Sequence, residues 1–229
     1  MILEVRSVSK SLRGIQVLDD VTCRVAEGEI VGLVGPNGVG KTTLIRLILG
    51  LLRADSGEIY IDGHTVKAAR SRLRVGYCLD NDGVYPALTG RQNLLFFQKA
   101  LGVAIGRVDE MIELLGLEEV ADVKVSAYSK GTRRRLALAR AMLASPRLLL
   151  LDEPFSGLDP SGQRDLVNFL DEMRGRVGVL FSSHDLHIVF SHATRVVGLK
   201  RKVVFDAKPG EIWDGSQDLL DKYAEVFDE

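Results

Sequence analysis

The chain has little of what marks a disulfide-rich, metal-binding or membrane-spanning protein. Only two of its 229 residues are cysteines, Cys23 and Cys78, and they lie far apart without metal-ligand spacing, which favours buried thiols in a reducing compartment. The densest apolar stretch, 44–52, contains an arginine and is shorter than the ~20 residues that a membrane helix needs. Glu4 and Arg6 interrupt the first residues before the apolar segment of a signal peptide could form. We therefore expect a cytoplasmic protein.

An excess of charge of one sign is also missing. Thirty basic residues stand against 31 acidic ones, and the formal net charge is −1. No global field therefore favours nucleic acid or anionic lipid as the main partner, and we expect no nucleic-acid partner. With 46% hydrophobic and 27% charged residues, the composition is that of a globular protein with a sizeable core.

The first third of the chain has the periodicity of strands. Apolar and polar residues roughly alternate over 2–8 and 17–25, with Arg13-Gly14 as turn chemistry between them, which predicts antiparallel strands. The segments 56–63 and 74–79 predict two more short strands.

Further along, the period changes. Helical spacing between 89 and 144 predicts a helical insertion. The continuous apolar runs 148–151 and 177–181 each follow a helix-like segment, and this alternation predicts parallel strands covered on both faces. The tail from 216 onward has the spacing of an amphipathic helix.

The segment with the most chemical content reads GPNGVGKT, from 35 to 42. It follows an apolar run and precedes a helical pattern, so strand, glycine-rich loop and helix stand in the order of a phosphate-binding loop. Backbone N–H groups of such a loop form an anion nest at the positive end of the helix. Lys41 is predicted to reach the β- and γ-phosphates, and the Thr42 hydroxyl to ligate Mg²⁺. The candidate nucleotide-binding residues here are Gly35, Asn37, Gly38, Val39, Gly40, Lys41, Thr42 and Thr43.

A second polar cluster follows the buried runs. Asp152 ends the run 148–151, at the carboxyl end of a strand where ligands gather in open α/β sheets, and is a candidate Mg²⁺ ligand. Glu153 comes next and is a candidate base or water-positioning group. His184 ends the next apolar run, where it could hold both the γ-phosphate and the base. An acidic pair that only caps a turn is the structural alternative, which the complete phosphate loop disfavours.

Taken together, these segments resemble the nucleotide-binding domain of ABC transporters over essentially the whole chain, particularly export-type subunits of the ABC-2 kind. The matching motifs are Walker A in GPNGVGKTT (35–43), Walker B in LLLLDE (148–153), the D-loop in SGLD (156–159), the switch histidine in SSH (182–184) and the signature in YSKGT (128–132). The resemblance implies an α/β P-loop NTPase (RecA-like) fold, a parallel-sheet core with an N-terminal antiparallel β subdomain and an inserted α-helical subdomain. It implies one ABC ATPase domain over 1–229, with its core in 1–82 and 146–229 and its helical subdomain in 83–145.

The resemblance also implies a mechanism. Two copies, a homodimer or a heterodimer with another ABC ATPase, would sandwich two ATP molecules with Mg²⁺, and Ser129 and Gly131 of one copy would complete the site of the other. Asp159 belongs to the D-loop of the same catalytic set. Hydrolysis would drive a separate transmembrane permease, docked around 80–85, with the ATPase peripheral on the cytoplasmic face of the membrane.

Three departures from the family pattern carry hypotheses. Leu12 stands about where the family has an aromatic residue that stacks on adenine, so Leu12 and Val17 would offer adenine aliphatic contact. Stacking is worth roughly 1–3 kcal/mol per base, so we expect weak discrimination between ATP and GTP. Asp80 replaces a glutamine that senses Mg²⁺ and the attacking water; it is a candidate catalytic and metal-binding residue, and Asp80→Gln is expected to change the ATPase rate or coupling. Lys130 and Thr132 replace glycine and glutamine of the signature, while Ser129 and Gly131 keep its phosphate-facing positions.

Two other functions compete with the exporter ATPase. One is a soluble ABC ATPase acting in repair, translation or cluster assembly, which co-purification with a permease would exclude. The other is a nucleotide-gated dimerisation module that hydrolyses poorly, suggested by Leu12 and Asp80 and opposed by Glu153 and His184. This sequence does not identify the transported substrate, because the permease selects it.

Overall fold

The structure is a computed structural model that describes residues 1–67, 75–79, 81–213 and 218–227. Asp80, a candidate site residue, lies outside the described residues. The strands are β1 (Leu3–Leu12), β2 (Ile15–Val25), β3 (Ile30–Val34), β4 (Ser56–Ile61), β5 (His64–Thr65), β6 (Val75–Cys78), β7 (Leu148–Leu151), β8 (Gly178–Ser182), β9 (Arg195–Lys200) and β10 (Lys202–Ala207). The α-helices are α1 (Lys41–Ile48), α2 (Gly90–Leu101), α3 (Gly106–Leu114), α4 (Lys130–Met142), α5 (Pro160–Met173), α6 (Leu186–His192), α7 (Pro209–Ile212) and α8 (Leu219–Phe227).

An antiparallel sheet forms the first lobe, with strand order β2-β1-β4-β5. β1 and β2 are joined by a tight turn in which Arg13 and Gly14 both have positive φ, 50° and 79°, as the favoured two-residue hairpin turn requires. Leu12 pairs with Ile15 at this end of the hairpin. The predicted antiparallel strands are present, and Leu12 lies at the tip of the lobe.

A six-stranded sheet of order β10-β9-β3-β8-β7-β6 forms the second lobe. Its strands β9, β3, β8, β7 and β6 are parallel, and β10 returns antiparallel to β9 as a hairpin. Sequence analysis predicted β6, β7 and β8 but did not identify β9 and β10. In this sheet β3 lies between β8 and β9, so the phosphate loop that follows β3 leaves from its centre.

The central strands are buried on both faces. Every residue of β3, β7 and β8 is buried. Leu148 and Leu150 pack with the antiparallel lobe and α1 in one core, whereas Leu149 and Leu151 pack with the helices of the other face. Alternate side chains of a strand point to opposite faces, so one short leucine run joins two cores and holds its carboxyl end rigidly.

Helices α2, α3 and α4 lie in the predicted helical insertion, together with 3₁₀ turns at Glu118–Val120 and Val125–Ala127. Thr89 begins α2 with a capping box to Gln92, and Ser129 begins α4 by accepting a hydrogen bond from the Thr132 backbone N–H. The subdomain boundaries at 82/83 and 145/146 remain predictions. Over the described part of the chain, every helix is too short or too polar to cross a bilayer.

Candidate nucleotide-binding site

The loop after β3 is built for close backbone approach. Gly35, Gly38 and Gly40 have φ values of 153°, 78° and 115°, a region that side-chain-bearing residues rarely adopt. A Cβ on Gly35 would lie 2.2 Å from the Leu199 carbonyl oxygen, and one on Gly40 would lie 2.9 Å from a Val17 methyl group. Gly35 and Gly40 are therefore required both because a side chain would clash and because of their backbone conformation. The loop leads directly into α1, as predicted.

Lys41, the first residue of α1, lies inside the loop rather than in solvent. Its Nζ donates to the Gly35 carbonyl at 2.6 Å and the Pro36 carbonyl at 3.3 Å, and it lies 3.9 Å from Glu153 Oε1. Burial lowers the pKa of Lys41, and the carboxylates of Glu153 and Asp152 oppose that shift. The ammonium group is thus held where the loop would surround an anion, with the carboxylates of Glu153 and Asp152 to offset part of its charge.

Asp152 is buried at the end of β7 and receives two hydroxyl groups on one oxygen. Thr42 Oγ1 lies 3.1 Å from Asp152 Oδ1, and the Ser182 hydroxyl donates to the same oxygen at 2.8 Å. The Asp152 backbone N–H donates to the Cys78 carbonyl of the neighbouring strand. These bonds bring together the two residues predicted to hold Mg²⁺, from elements 110 residues apart.

Glu153 is held in an uncommon backbone conformation beside His184. Its φ is 47°, a value that costs a non-glycine residue of the order of 1–3 kcal/mol and clusters at functional sites. The Glu153 backbone N–H donates to Ser182 Oγ at 2.9 Å, and Glu153 Oε2 lies 2.8 Å from His184 Nδ1. Ser182, at the end of β8, therefore holds the Glu153 backbone, and the predicted pair of Glu153 and His184 is in hydrogen-bond contact through the carboxylate.

Thr42, Asp152, Glu153 and His184 line one cleft of about 550 Å³. Its described lining comprises Asn37, Thr42, Arg46, Leu79, Asn81, Asp152, Glu153, Ser156 and His184. Sequence analysis did not assign Arg46, Leu79, Asn81, Ser156 or the bridging Ser182. Arg46 could have been identified, since it follows Thr42 by four residues and therefore shares its face of α1.

The predicted signature and D-loop residues, Ser129, Gly131 and Asp159, are not in the described lining of this cleft. Ser129 Oγ is used within its own helix, accepting from Thr132 N–H at 3.1 Å and lying 2.9 Å from Thr132 Oγ1. Gly131 lies beside α5, and Asp159 begins α5 by accepting from the Gly162 backbone N–H at 2.8 Å. In a single chain, Ser129 and Asp159 act as helix caps.

The predicted adenine-contacting residues lie on the antiparallel lobe. Val17 packs against Gly40 and so borders the phosphate loop. Leu12 is half-buried at the hairpin tip, beside Ile15, which is 64% exposed. The lobe therefore offers aliphatic rather than aromatic surface beyond the loop.

Comparisons with known proteins found relatives in both sequence and structure. A family model described as ABC transporter matches residues 18–156. The ABC transporter ATP-binding protein YdbJ of Bacillus subtilis (strain 168) is 41% identical over 205 residues, which cover 87% of this chain and 67% of YdbJ. The zinc import ATP-binding protein ZnuC of Pseudomonas savastanoi pv. phaseolicola is 39% identical over 216 residues, covering 92% of this chain and 77% of ZnuC. A solved structure described as the ATP-binding subunit of an ABC transporter superposes with a TM-score of 0.89 at 28% identity, over 99% of each chain. The predicted P-loop NTPase fold is confirmed.

Proposed function

Because the chain belongs to the ABC transporter family of ATP-binding proteins, whose members hydrolyse ATP, we propose that it powers transport by ATP-driven dimerisation coupled to a separate transmembrane permease. The observation that carries the chemistry is the hydrogen-bonded series from Thr42 through Asp152 and Ser182 to Glu153 and His184. It joins the phosphate loop to the carboxyl ends of two adjacent buried strands.

The residues have distinct roles in this proposal. Backbone N–H groups of the phosphate loop and the Lys41 ammonium bind the β- and γ-phosphates. Glu153 orients the attacking water and accepts its proton, and His184, 2.8 Å away, holds the carboxylate in place. An incoming phosphate would also draw Lys41 away from the Gly35 carbonyl, and its negative charge would favour the protonated amine.

The residues present fit a Mg²⁺ ion bound together with ATP. Within the described residues no group of three or more acidic, histidine or cysteine side chains could hold a metal alone, and Mg²⁺ is commonly bound by one or two protein oxygens with substrate phosphates. The Thr42 hydroxyl and the Asp152 carboxylate, 3.1 Å apart, are the oxygen donors. When bound, the ion would supply neutralisation of the charge on the β- and γ-phosphates.

The permease is proposed to dock on an aromatic surface beside the cleft. Tyr85, Phe96 and Phe97 have ring centroids 5.1–5.9 Å apart, and Tyr85 and Phe96 are 46% and 49% exposed. Exposed aromatic clusters are typical of interaction sites. The surface lies directly after the segment 81–84, so a docked helix would be adjacent to residues that line the cleft. Docking there would place the ATPase on the cytoplasmic face of the membrane.

Export is the direction that we propose, on the similarity of YSKGT and the segment 88–102 to export-type subunits. ZnuC, at 39% identity, is named for zinc import, so the direction needs its own test. Inside-out vesicles carrying this subunit and its permease would accumulate the transported substrate on ATP addition if the direction is export.

The experiment that tests the proposed function is phosphate release with Glu153→Gln. We expect measurable ATPase activity in the unaltered protein, loss of at least two orders of magnitude in the variant, and retention of ATP by a stable dimer. Phosphate release within threefold of the unaltered protein would contradict the assignment of Glu153. A chain that never hydrolyses ATP, alone or with its permease, would favour the dimerisation module.

A further inference from the structure

Helix α4 carries a buried arginine that reaches the segment leaving β6. Arg134 is 2% exposed, and its Nη1 lies 3.0 Å from Cys78 Sγ, 3.1 Å from the Leu79 carbonyl oxygen and 3.2 Å from Asp82 Oδ1. A buried guanidinium is retained only with partners that compensate its desolvation. These contacts hold the Arg134 side chain against Cys78, Leu79 and Asp82 rather than in solvent.

A second arginine of the same helix holds both ends of that segment. Arg140 donates to the Tyr77 carbonyl at 2.8 Å and the Gly83 carbonyl at 3.2 Å. Its guanidinium also lies 4.9 Å from the Tyr77 ring centroid and 5.3 Å from that of Phe97. Tyr77, Leu79 and Gly83 are therefore all attached to α4 through their backbone carbonyls.

Asp82 is the acidic group of this contact. Its carboxyl faces Arg134 most closely, with Arg133, Lys130 and Arg140 as further cations of α4. Burial raises its pKa, and these four cations oppose the shift. Asp82 is 16% exposed at the side chain, so the ion pair is shielded from the solvent that weakens surface pairs.

The segment after β6 and helix α4 contribute to two different ATP sites of the proposed dimer. Leu79 and Asn81 line the cleft that would hold the chain's own ATP. Ser129, which caps α4, is the residue proposed to meet ATP on the second chain. Arg134 follows Ser129 by five positions, about 7.5 Å along a helix, and a rigid helix of that length transmits a displacement of one end to the other.

We propose that Arg134 and Asp82 form a positioning pair that fixes the start of α4, and therefore Ser129, relative to the edge of the chain's own cleft. The inference rests on the proposed function, because Ser129 has a partner to meet only in the ATP-bound dimer. A purely structural ion pair would affect folding alone. A positioning pair affects ATP-driven dimerisation while ATP binding by a single chain is unchanged.

The test uses Asp82→Asn, which preserves shape and removes the charge, in the full chain carrying Glu153→Gln so that ATP is not consumed. Asp109→Asn is the matched control, since Asp109 also pairs with an arginine of the helical segment, Arg91, but is 73% exposed. Sedimentation measures dimer dissociation with Mg²⁺-ATP. A fluorescent ATP analogue measures binding under dilute, monomeric conditions, and thermal unfolding measures stability.

We expect Asp82→Asn to weaken the dimer at least tenfold with analogue affinity within twofold, and Asp109→Asn to change neither. Arg134→Gln should weaken the dimer at least as much, because it also removes the contacts with Cys78 and Leu79. The double variant should be no more than about twofold weaker than Arg134→Gln, because both then lack the interaction with Asp82. Equal dimer dissociation constants for the Asp82→Asn and Asp109→Asn proteins would overturn the positioning role. The same holds if Asp82→Asn lowers the melting temperature but leaves dimer dissociation unchanged, because the pair is then purely structural. If the Glu153→Gln parent does not dimerise, the proposed function itself fails together with this inference.

Discussion

Ser182→Ala tests the bonds that hold the two candidate catalytic carboxyl groups in register. The Ser182 side chain is buried, donates to Asp152 Oδ1 at 2.8 Å and accepts from the Glu153 backbone N–H at 2.9 Å. Alanine removes both bonds and leaves a buried carboxylate and the N–H of a positive-φ residue to find other partners. The change adds no bulk, so its consequences come from the lost bonds.

The size of the effect follows from these two bonds. A hydrogen bond to a charged group contributes about 1.5–3 kcal/mol and a neutral one about 0.5–1.5 kcal/mol. We therefore expect Ser182→Ala to lower the free energy of unfolding by about 2–4 kcal/mol. For a chain of this size each kcal/mol shifts the melting temperature by roughly 2–4 °C. The ATPase rate should fall about tenfold or more at saturating ATP, because Glu153 loses the contact that directs its backbone.

Ser183→Ala is the matched control, since Ser183 is equally buried but, among the described residues, its hydroxyl accepts only from the Asp185 N–H. Denaturant unfolding and phosphate release, measured on both variants, separate the two cases. The control should lose about 1 kcal/mol and keep its ATPase rate within threefold. Indistinguishable unfolding free energies and rates for the two variants would refute the bridging role of Ser182.

The remaining predictions concern the loop, the adenine end and the histidine. Gly35→Ala should abolish nucleotide binding or folding, because its Cβ would lie 2.2 Å from a backbone carbonyl oxygen. Gly38→Ala has open space around it and should lower the free energy of unfolding by only about 1–2 kcal/mol. Calorimetric unfolding and ATP titration compare the two variants. Measured KM values for ATP and GTP should lie within tenfold of each other for the unaltered protein, and a hundredfold preference for ATP would contradict the weak discrimination expected from Leu12. Leu12→Tyr should tighten ATP binding by roughly 5- to 100-fold if the ring stacks on adenine. His184→Ala should lower the ATPase rate about a hundredfold, because Glu153 loses the contact that holds its carboxylate. The melting temperature should be unchanged, since the His184 side chain is 61% exposed. An unchanged ATPase rate would exclude a role for His184 in positioning Glu153.

Local signals account for the parts of the site that could be predicted. The phosphate loop is readable because its glycines, Lys41 and Thr42 stand in consecutive sequence between a buried strand and a helix. Asp152 and His184 were placed correctly at strand ends because each follows a continuous apolar run. Parallel neighbours end at the same edge of a sheet, so their proximity followed from the strand assignment alone.

Contacts between distant elements could not be predicted in the same way. Arg134 lies in a run of three arginines, which is the pattern of a solvated helix face, yet it is nearly fully buried because the segment after β6 covers it. Strand β9 was missed although Arg195–Lys200 is apolar at its centre, since its partner β3 lies more than 160 residues earlier. In each case the decisive partner is remote in sequence.

The electrostatics of α4 explain why one chain holds only part of the proposed reaction site. Its first turn contains no acidic residue, although acids are favoured at the positive end of a helix dipole. Lys130 and Arg133 occupy that end instead; Lys130 lies against Gly157, and Arg133 donates to the Tyr128 carbonyl. Each unfavourable cation costs roughly 0.3–1 kcal/mol, and neither Lys130 nor Arg133 is among the described residues that line the chain's own cleft. An anion arriving from outside, such as the γ-phosphate of ATP bound by a second chain, would offset this excess of positive charge at Ser129. The same charge that weakly destabilises the isolated chain would therefore favour the proposed ATP-bound dimer.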